Sequence, residues 1–480
     1  MSMGDLTEKS LPALQRGLAT RQFSARELTE AYLHAIQAKD PTLHAYLTVC
    51  ADEARRAADE IDRKRAQGER LSPLAGIPFA AKDNLCTKGI RTTCASRMLA
   101  DFIPPYDAHA IERLKGEGAI LLGKTNLDEF GMGSATEYSA FCPTHHPGDV
   151  TRTPGGSSGG SACAVAAHTA AFALGSDTGG SIRQPAAHCG LVGMKPTYGR
   201  VSRYGLVAYA ASLDSVGPLT RTVADNAAVL SLMAGHDPRD ATSHPREACD
   251  FAADLHRGVK GLRIGLPQEW LTTLSPEVRG AIETAASHYE TLGARIVPVT
   301  VPSLSLVLPT YYILSRGEAA SHLGRFDGIQ FGYRTASYAD TEELICRSRT
   351  EALGPEVKRG LLLGTLVLSQ GYYDTYYQRA LHARTRIRQE FDRAFDACDV
   401  MLTPVTATTA PTPGSGSTVP PHRYAEGVYT APANLTGRPA LSLPCGTGEN
   451  GLPIGCQLMG NPFDEVTLYR MAAALEEVIA

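Results

Sequence analysis

No run of about eighteen apolar residues occurs in this 480-residue chain, so the sequence offers no membrane-spanning helix. Its start, "MSMGDLTEKSLPALQRG", lacks the basic head and continuous apolar stretch of a secretory signal. Eleven cysteines are present without a C-x-x-C pair or any paired metal-ligand spacing, which argues against a zinc site and a disulfide framework. They read as small, mostly buried thiols of a reduced compartment. Charge of one sign is lacking too: 46 Lys and Arg against 50 Asp and Glu give a net charge of −4, with no global attraction to nucleic acid or an anionic membrane. A soluble cytoplasmic protein is expected, without bound metal.

What is abundant is core-forming material: 43% of residues are apolar and only 20% charged, enough for one large domain or two. Ser24-Ala25-Arg26-Glu27 has the spacing of a capping box, and Leu28, Tyr32 and Ile36 recur at helical spacing, so residues 1–65 are expected to be helical. From Leu74 the texture changes to short apolar runs ended by Gly, Pro or Asp, as in "LAGIPFAAKDN", "AILLGKTN" and "AFALGSDTGGS". These suggest buried strands of an α/β sheet over a core at 66–305. "GLRIGLPQEW", Pro276 to Leu292 and "ARIVPVTVP" read as strand, helix, strand. Thr310 to Ala397 shows helical periodicity without strands, giving a mainly helical region at 306–400. Val400 to Leu402 reads as one more strand, opening a return to the core at 401–480 through a Pro/Ser/Thr/Gly loop. No internal repeat or clear linker divides the chain.

The stretch Pro154-Gly155-Gly156-Ser157-Ser158-Gly159-Gly160-Ser161 contains G-x-S-x-G twice, centred on Ser157 and on Ser158. It is not a P-loop, since no Lys follows the glycines. A hydrolase elbow needs a strand before it and a histidine base, whereas "HHPGDVTRTP" is not strand-like. His145, His146, His168 and His188 sit in settings typical of structural histidines, and Cys163 and Cys189 lie among small apolar residues that favour inert thiols. A nucleophilic serine here therefore points to a base other than histidine. Further on, Thr178-Gly179-Gly180-Ser181 follows the strand-like "AAFALG" and would present consecutive amides with little side-chain obstruction, as an oxyanion hole requires; a plain tight turn is the alternative. Asp177 and Arg183 flank this loop and could brace it as an ion pair. Lys82, at the end of Ile77-Pro78-Phe79-Ala80-Ala81, is the candidate base if burial keeps it neutral, against a solvated lysine at a strand end.

Together "AAKDN", "PGGSSGGSA" and "GSDTGGSIRQPA" resemble the amidase signature family. The resemblance implies its fold, a large mixed twisted β-sheet flanked on both faces by α-helices. It also implies a triad in which Ser181 attacks, Ser157 relays the proton across a cis peptide bond from Gly156, and Lys82 is the final base. Within the family, "GKTNLDEFGMGSATE", "RFDGIQFGYR" and "GYYDTYY" resemble the A subunits of tRNA-dependent amidotransferases, which release ammonia from glutamine. That branch implies B and C partner subunits and a tRNA held mainly through a partner. It implies no cofactor in this chain, with ATP and magnesium belonging to a partner. It further implies Tyr312 and Arg359 at the glutamine's α-amino and α-carboxylate end, with Gly133, Ser158 and the position of Gly427 bordering the substrate. Ser158 would also support its loop by hydrogen bonds. Three positions depart from the branch's pattern: Gly427 stands where its Y-x-x-D has Asp, Gly148 interrupts its N-P-W-D, and Gly360 replaces a frequent Arg. Glu426 would reach the Asp position only with a one-residue shift. These departures leave a stand-alone amidase acting on another small amide as the alternative.

Overall fold

A computed structural model describes residues 3–246, 249–301, 304–414 and 425–479. Eleven strands form one mixed sheet: β1 (Tyr46–Val49), β2 (Pro78–Lys82), β3 (Ile120–Thr125), β4 (Phe172–Asp177), β5 (Val192–Lys195), β6 (Ser215–Thr220), β7 (Arg263–Leu266), β8 (Arg295–Pro298), β9 (Val400–Pro404), β10 (Ala440–Thr447) and β11 (Pro453–Gly460). Their spatial order is β1-β3-β2-β4-β6-β5-β10-β11-β9-β7-β8. The α/β class and the strands expected around Pro78, Ile120, Phe172, Arg263, Arg295 and Val400 are all present. The N-terminal part is not wholly helical, because Tyr46–Val49 pairs antiparallel with β3. Most of the loop after β9 lies outside the described residues.

The short apolar runs form strands because both faces of the central sheet are covered, and every residue of β2, β3 and β4 is buried. β2 runs parallel to both β3 and β4, with Phe79 opposite Phe172 and Ala81 opposite Leu174. The Phe79 and Phe172 rings stack at 5.3 Å between centroids. Burying each such ring contributes about 1.5–3 kcal/mol. That register brings the C-terminal ends of β2 and β4 out on one edge, and so sets Lys82 beside Ser176 and Asp177.

Helices pack against the sheet. Ala25–Leu43 starts with the expected capping box, Glu27 N–H donating to Ser24 Oγ (3.0 Å) and Ser24 N–H to Glu27 Oε2 (2.7 Å). Gly159–Ala166 begins directly after the paired serines and packs on β4 and β2. Arg183–His188 follows the second glycine loop. The region from 304 to 397 folds as Leu304–Leu323, Thr341–Ala352, Pro355–Leu368, a π-helical turn Tyr373–Gln378 and Arg379–Ala397; the first and third pack on each other. No helix among the described residues is long and apolar enough to cross a membrane.

Candidate active site

Lys82 ends β2 with no exposed surface. Its Nζ lies 2.7 Å from Ser157 Oγ, 2.9 Å from Ser158 Oγ, 2.9 Å from Ser176 Oγ and 3.3 Å from Ser176 O. Hydroxyls and a carbonyl surround it, with no carboxylate at ion-pair distance among the described residues. Burial pushes the ammonium down to about 7, against the pull of Asp128, Asp177 and Asp214. A neutral amine has two hydrogens and one lone pair. The Ser158 hydroxyl donates to Ser176 O (3.1 Å), so its oxygen accepts from Lys82. The second hydrogen serves Ser176, and the lone pair is left for the Ser157 hydroxyl at the shortest of the four distances.

That accounting separates the two adjacent serines. The Gly156–Ser157 peptide bond is cis. Gly156 N–H donates to Gln184 Oε1 (2.8 Å), and a Cβ at 156 would lie 2.3 Å from Asp128 Oδ2, so only glycine fits. Ser158, expected also to border the substrate, does not: it is fully buried and spends its hydroxyl between Lys82 and Ser176. It supports the base, and the substrate-binding assignment is withdrawn because no face of it reaches the pocket.

The second loop is held from beneath. Asp177 and Arg183, both fully buried, form a two-point ion pair, Nε to Oδ2 at 3.0 Å and Nη2 to Oδ1 at 2.9 Å. Burial raises the Asp177 carboxyl, but the Arg183 charge and hydrogen bonds outweigh it and hold the acid well below its ordinary range. Arg183 also donates to Thr430 O (2.9 Å), Gln457 Oε1 (2.5 Å) and Asn434 Oδ1 (2.7 Å), so all its hydrogen-bonding directions are used. Asp177 in turn accepts from the amides of Gly180 (2.9 Å) and Ile182 (3.1 Å). The four-residue oxyanion expectation narrows accordingly. Gly180's hydrogen is committed to Asp177, and Thr178 does not line the pocket while its hydroxyl donates to Asp214 (2.6 Å). The amides of Gly179 and Ser181 remain, without an acceptor among the described residues, on the pocket wall. Gly180 has φ +133°, and a Cβ at Gly179 would come within 2.5 Å of the Tyr311 ring, so both glycines are required. Ser181 Oγ makes no hydrogen bond among the described residues and faces this pocket.

Gly133, Tyr312 and Gly427 line the same pocket as Ser181. Arg359 does not: its side chain is half-exposed and ion-paired to Glu356 on its own helix, outside the lining. The guanidinium in the pocket belongs instead to Arg316, which sequence reasoning missed together with Tyr311 and Glu356. Asp128 was missed as well. Fully buried, with burial raising its carboxyl to about 6, it accepts from the amides of Thr136 (2.9 Å), Glu137 (3.1 Å) and Tyr138 (3.2 Å). It thereby folds the 128–138 segment into the pocket wall, and at Gly133 a Cβ would collide with it at 2.4 Å. Among the described residues no histidine lines the pocket and no cluster of metal-ligating side chains occurs. The side chain of Glu426 lies outside the described residues. Gly148 sits away from the pocket, its amide donating to His146 Nδ1 (3.1 Å).

Comparison with known proteins gives this arrangement relatives. A family model described as Amidase matches residues 27–469. The glutamyl-tRNA(Gln) amidotransferase A subunit of Thermosynechococcus vestitus is 52% identical over 97% of this chain and 96% of its own, and that of Prochlorococcus marinus 53% over 95% and 94%. Among solved structures, the glutamyl-tRNA(Gln) amidotransferase A subunit of Thermotoga maritima superposes with a TM-score of 0.82 at 37% identity, covering 98% of this chain and 95% of that one.

Proposed function

Since the chain belongs to the amidase family, we propose that it is the amide-hydrolysing A subunit of a tRNA-dependent amidotransferase, releasing ammonia from glutamine for amidation of Glu-tRNA(Gln) or Asp-tRNA(Asn) on a partner subunit. The observation that carries the reading is the buried Lys82, inclined to be neutral, at 2.7 Å from Ser157 and beside a pocket that Ser181 faces.

Ser181 Oγ attacks the carboxamide carbon, and the new C–O bond pushes the carbonyl electrons onto oxygen, where the Gly179 and Ser181 amides receive the charge. Its proton passes to Ser157 Oγ as the Ser157 proton passes to neutral Lys82. Reversal of the relay protonates the leaving nitrogen, ammonia departs, and water resolves the acyl-enzyme by the same path. Lys82 thus starts neutral, carries the proton during collapse and ends neutral. A base held near 7 suits both halves.

Partner subunits of the B and C kind would take the ammonia, with ATP and magnesium serving the partner's activation step and tRNA held mainly there. Leu362, Leu363 and Leu366 expose an apolar stripe on the outer face of Pro355–Leu368, a surface of the sort a partner covers, which supports assembly. One observation favours the second reading, a stand-alone amidase with another small substrate: Gly427 offers no charge where the branch places an acid. Brief reaction with glutamine or a simple amide, acid quench and peptide mass spectrometry should place the acyl group on Ser181; an adduct on Ser157 overturns the mechanism. Glutamine left untouched by the chain and by its complex with B and C partners, while simple amides turn over, selects the stand-alone reading.

A further inference from the structure

We infer that Arg316 is the residue that reads a carboxylate on the substrate, its guanidinium seated in the space that Gly360 leaves on the neighbouring helix; the inference rests on the amide-hydrolase reading of the pocket. Arg316 lies on Leu304–Leu323 and is 4% exposed, yet it forms part of the pocket wall. Its Nη2 donates to Glu356 Oε1 (2.8 Å), and the other Glu356 oxygen pairs with Arg359. Among the described residues, two guanidiniums therefore share the Glu356 carboxylate at this end of the pocket. Glu137, the other acid in the lining, is on the opposite segment and accepts from the Gly414 amide (3.1 Å).

Arg316 Nη1 is buried without a hydrogen-bond partner among the described residues. A buried charged donor left unsatisfied is costly, and an anionic group drawn against the part of the guanidinium that lines the pocket offsets that cost through its charge. The guanidinium is also fixed in place, its Cζ 5.7 Å from the ring centres of both Tyr209 and Tyr312. A planar, preoriented fork of this kind suits a carboxylate.

Gly360 supplies the second, independent observation. In "GPEVKRG" it stands where the amidotransferase branch frequently has Arg, and a Cβ placed there would lie 2.7 Å from Arg316 Nη1 and 3.2 Å from Cζ. The Arg316 guanidinium therefore fills the volume a side chain at 360 would occupy. The positive charge of this wall hangs from Leu304–Leu323. The ligand class that follows is an aliphatic carboxamide with a free carboxylate at its far end, glutamine included.

The test compares the full chain with Arg316→Gln, Arg316→Ala, Gly360→Arg and Arg316→Ala/Gly360→Arg. It reads kcat/KM on glutaramate, which keeps the carboxylate, divided by kcat/KM on butyramide, which lacks it, together with calorimetric binding of glutarate. Arg316→Gln should lower the ratio and weaken glutarate binding by about 10- to 100-fold. Gly360→Arg alone should also lose, because two guanidiniums collide, whereas the double variant should recover most of what Arg316→Ala loses. A ratio within about twofold of wild type in Arg316→Gln, or a double variant no better than Arg316→Ala, overturns the inference. Wild type needs no variant to fold: it should bind glutarate far better than its dimethyl ester, and equal affinity overturns the inference. If no amide turns over, the hydrolase reading falls, while glutarate binding still reports on Arg316.

Discussion

The catalytic wall of the pocket consists of backbone ends and short side chains: Lys82 closing β2, the Ser157 turn, and the loop after β4 clamped by Asp177 and Arg183. The facing wall is made of long side chains, Tyr311, Tyr312, Arg316 and Glu356, carried by helices on the outer layer. On the first wall Lys82, Ser157, Asp177 and Arg183 each have named partners, and only the groups that would meet the substrate, Ser181 Oγ and the Gly179 and Ser181 amides, are left open; on the second, Arg316 Nη1 has no partner among the described residues and Gly427 leaves space. The difference teaches where change is tolerated. Chemistry depends on groups that act as one unit, whereas substrate reading depends on a charge that several helix positions can deliver.

The sharpest way to break the comparison is to strike the catalytic wall. Lys82→Ala, Ser157→Ala and Ser181→Ala should each lower kcat by about 10⁴-fold, and the double variant Lys82→Ala/Ser157→Ala should be no worse than either single one, since members of one proton relay are not additive. Multiplying losses in single-turnover assays would show that the two residues act separately. Next in size is the clamp. Asp177→Asn leaves Arg183 buried beside a neutral group and should destabilise the fold by about 3–5 kcal/mol, read as a lower denaturation midpoint with kcat reduced through the displaced loop. An unchanged midpoint would mean that Thr430, Gln457 and Asn434 hold Arg183 unaided.

Protonation tests the same wall more gently. Lys82 must start neutral, and burial lowers its ammonium to about 7, so it is charged and inactive below that value and active above it. The kcat/KM for an uncharged amide should therefore rise about tenfold per unit as pH climbs to 7, then level off. Asp128, raised to about 6 by burial, ionises lower and leaves that plateau flat. A profile that falls across this window would assign the base elsewhere.

The same contrast explains what was legible in the sequence. Lys82, Ser157 and Ser181 could be found because each lies in a local motif, and the apolar runs around them are strands whose ends converge. The accounting that demotes Ser158 was not legible, since it depends on the Ser176 carbonyl at 3.1 Å. Nor was Arg316, because the pocket's far end is assembled from helices more than thirty residues apart in the chain. Arg359 had a signal against it: Val357, Gly360, Leu361 and Gly364 mark the inward face of its helix and leave 359 outside. Leu362, Leu363 and Leu366 blurred that stripe by placing apolar residues on the outer face.

The smallest expected effect sharpens the comparison on the tolerant wall. Among the described residues a Cβ at Gly427 would meet Leu308 Cδ2 at 3.7 Å and Gly179 O at 3.9 Å, ordinary contacts, so their packing does not demand glycine there. Gly427→Asp should therefore fold normally and place a carboxylate near the pocket mouth, where it can meet an α-ammonium. At a half-exposed site such a pairing is worth about 1 kcal/mol, so kcat/KM for glutamine relative to glutaramate, which lacks the ammonium, should rise about fivefold. Gly427→Asn, the same size without charge, should leave that ratio near the wild-type value. A rise with Asn as large as with Asp would mean that shape, and not charge, is read at 427. No rise with either would mean that the ammonium end is held by another acid of the wall; among the described residues Glu137 and Glu356 line it.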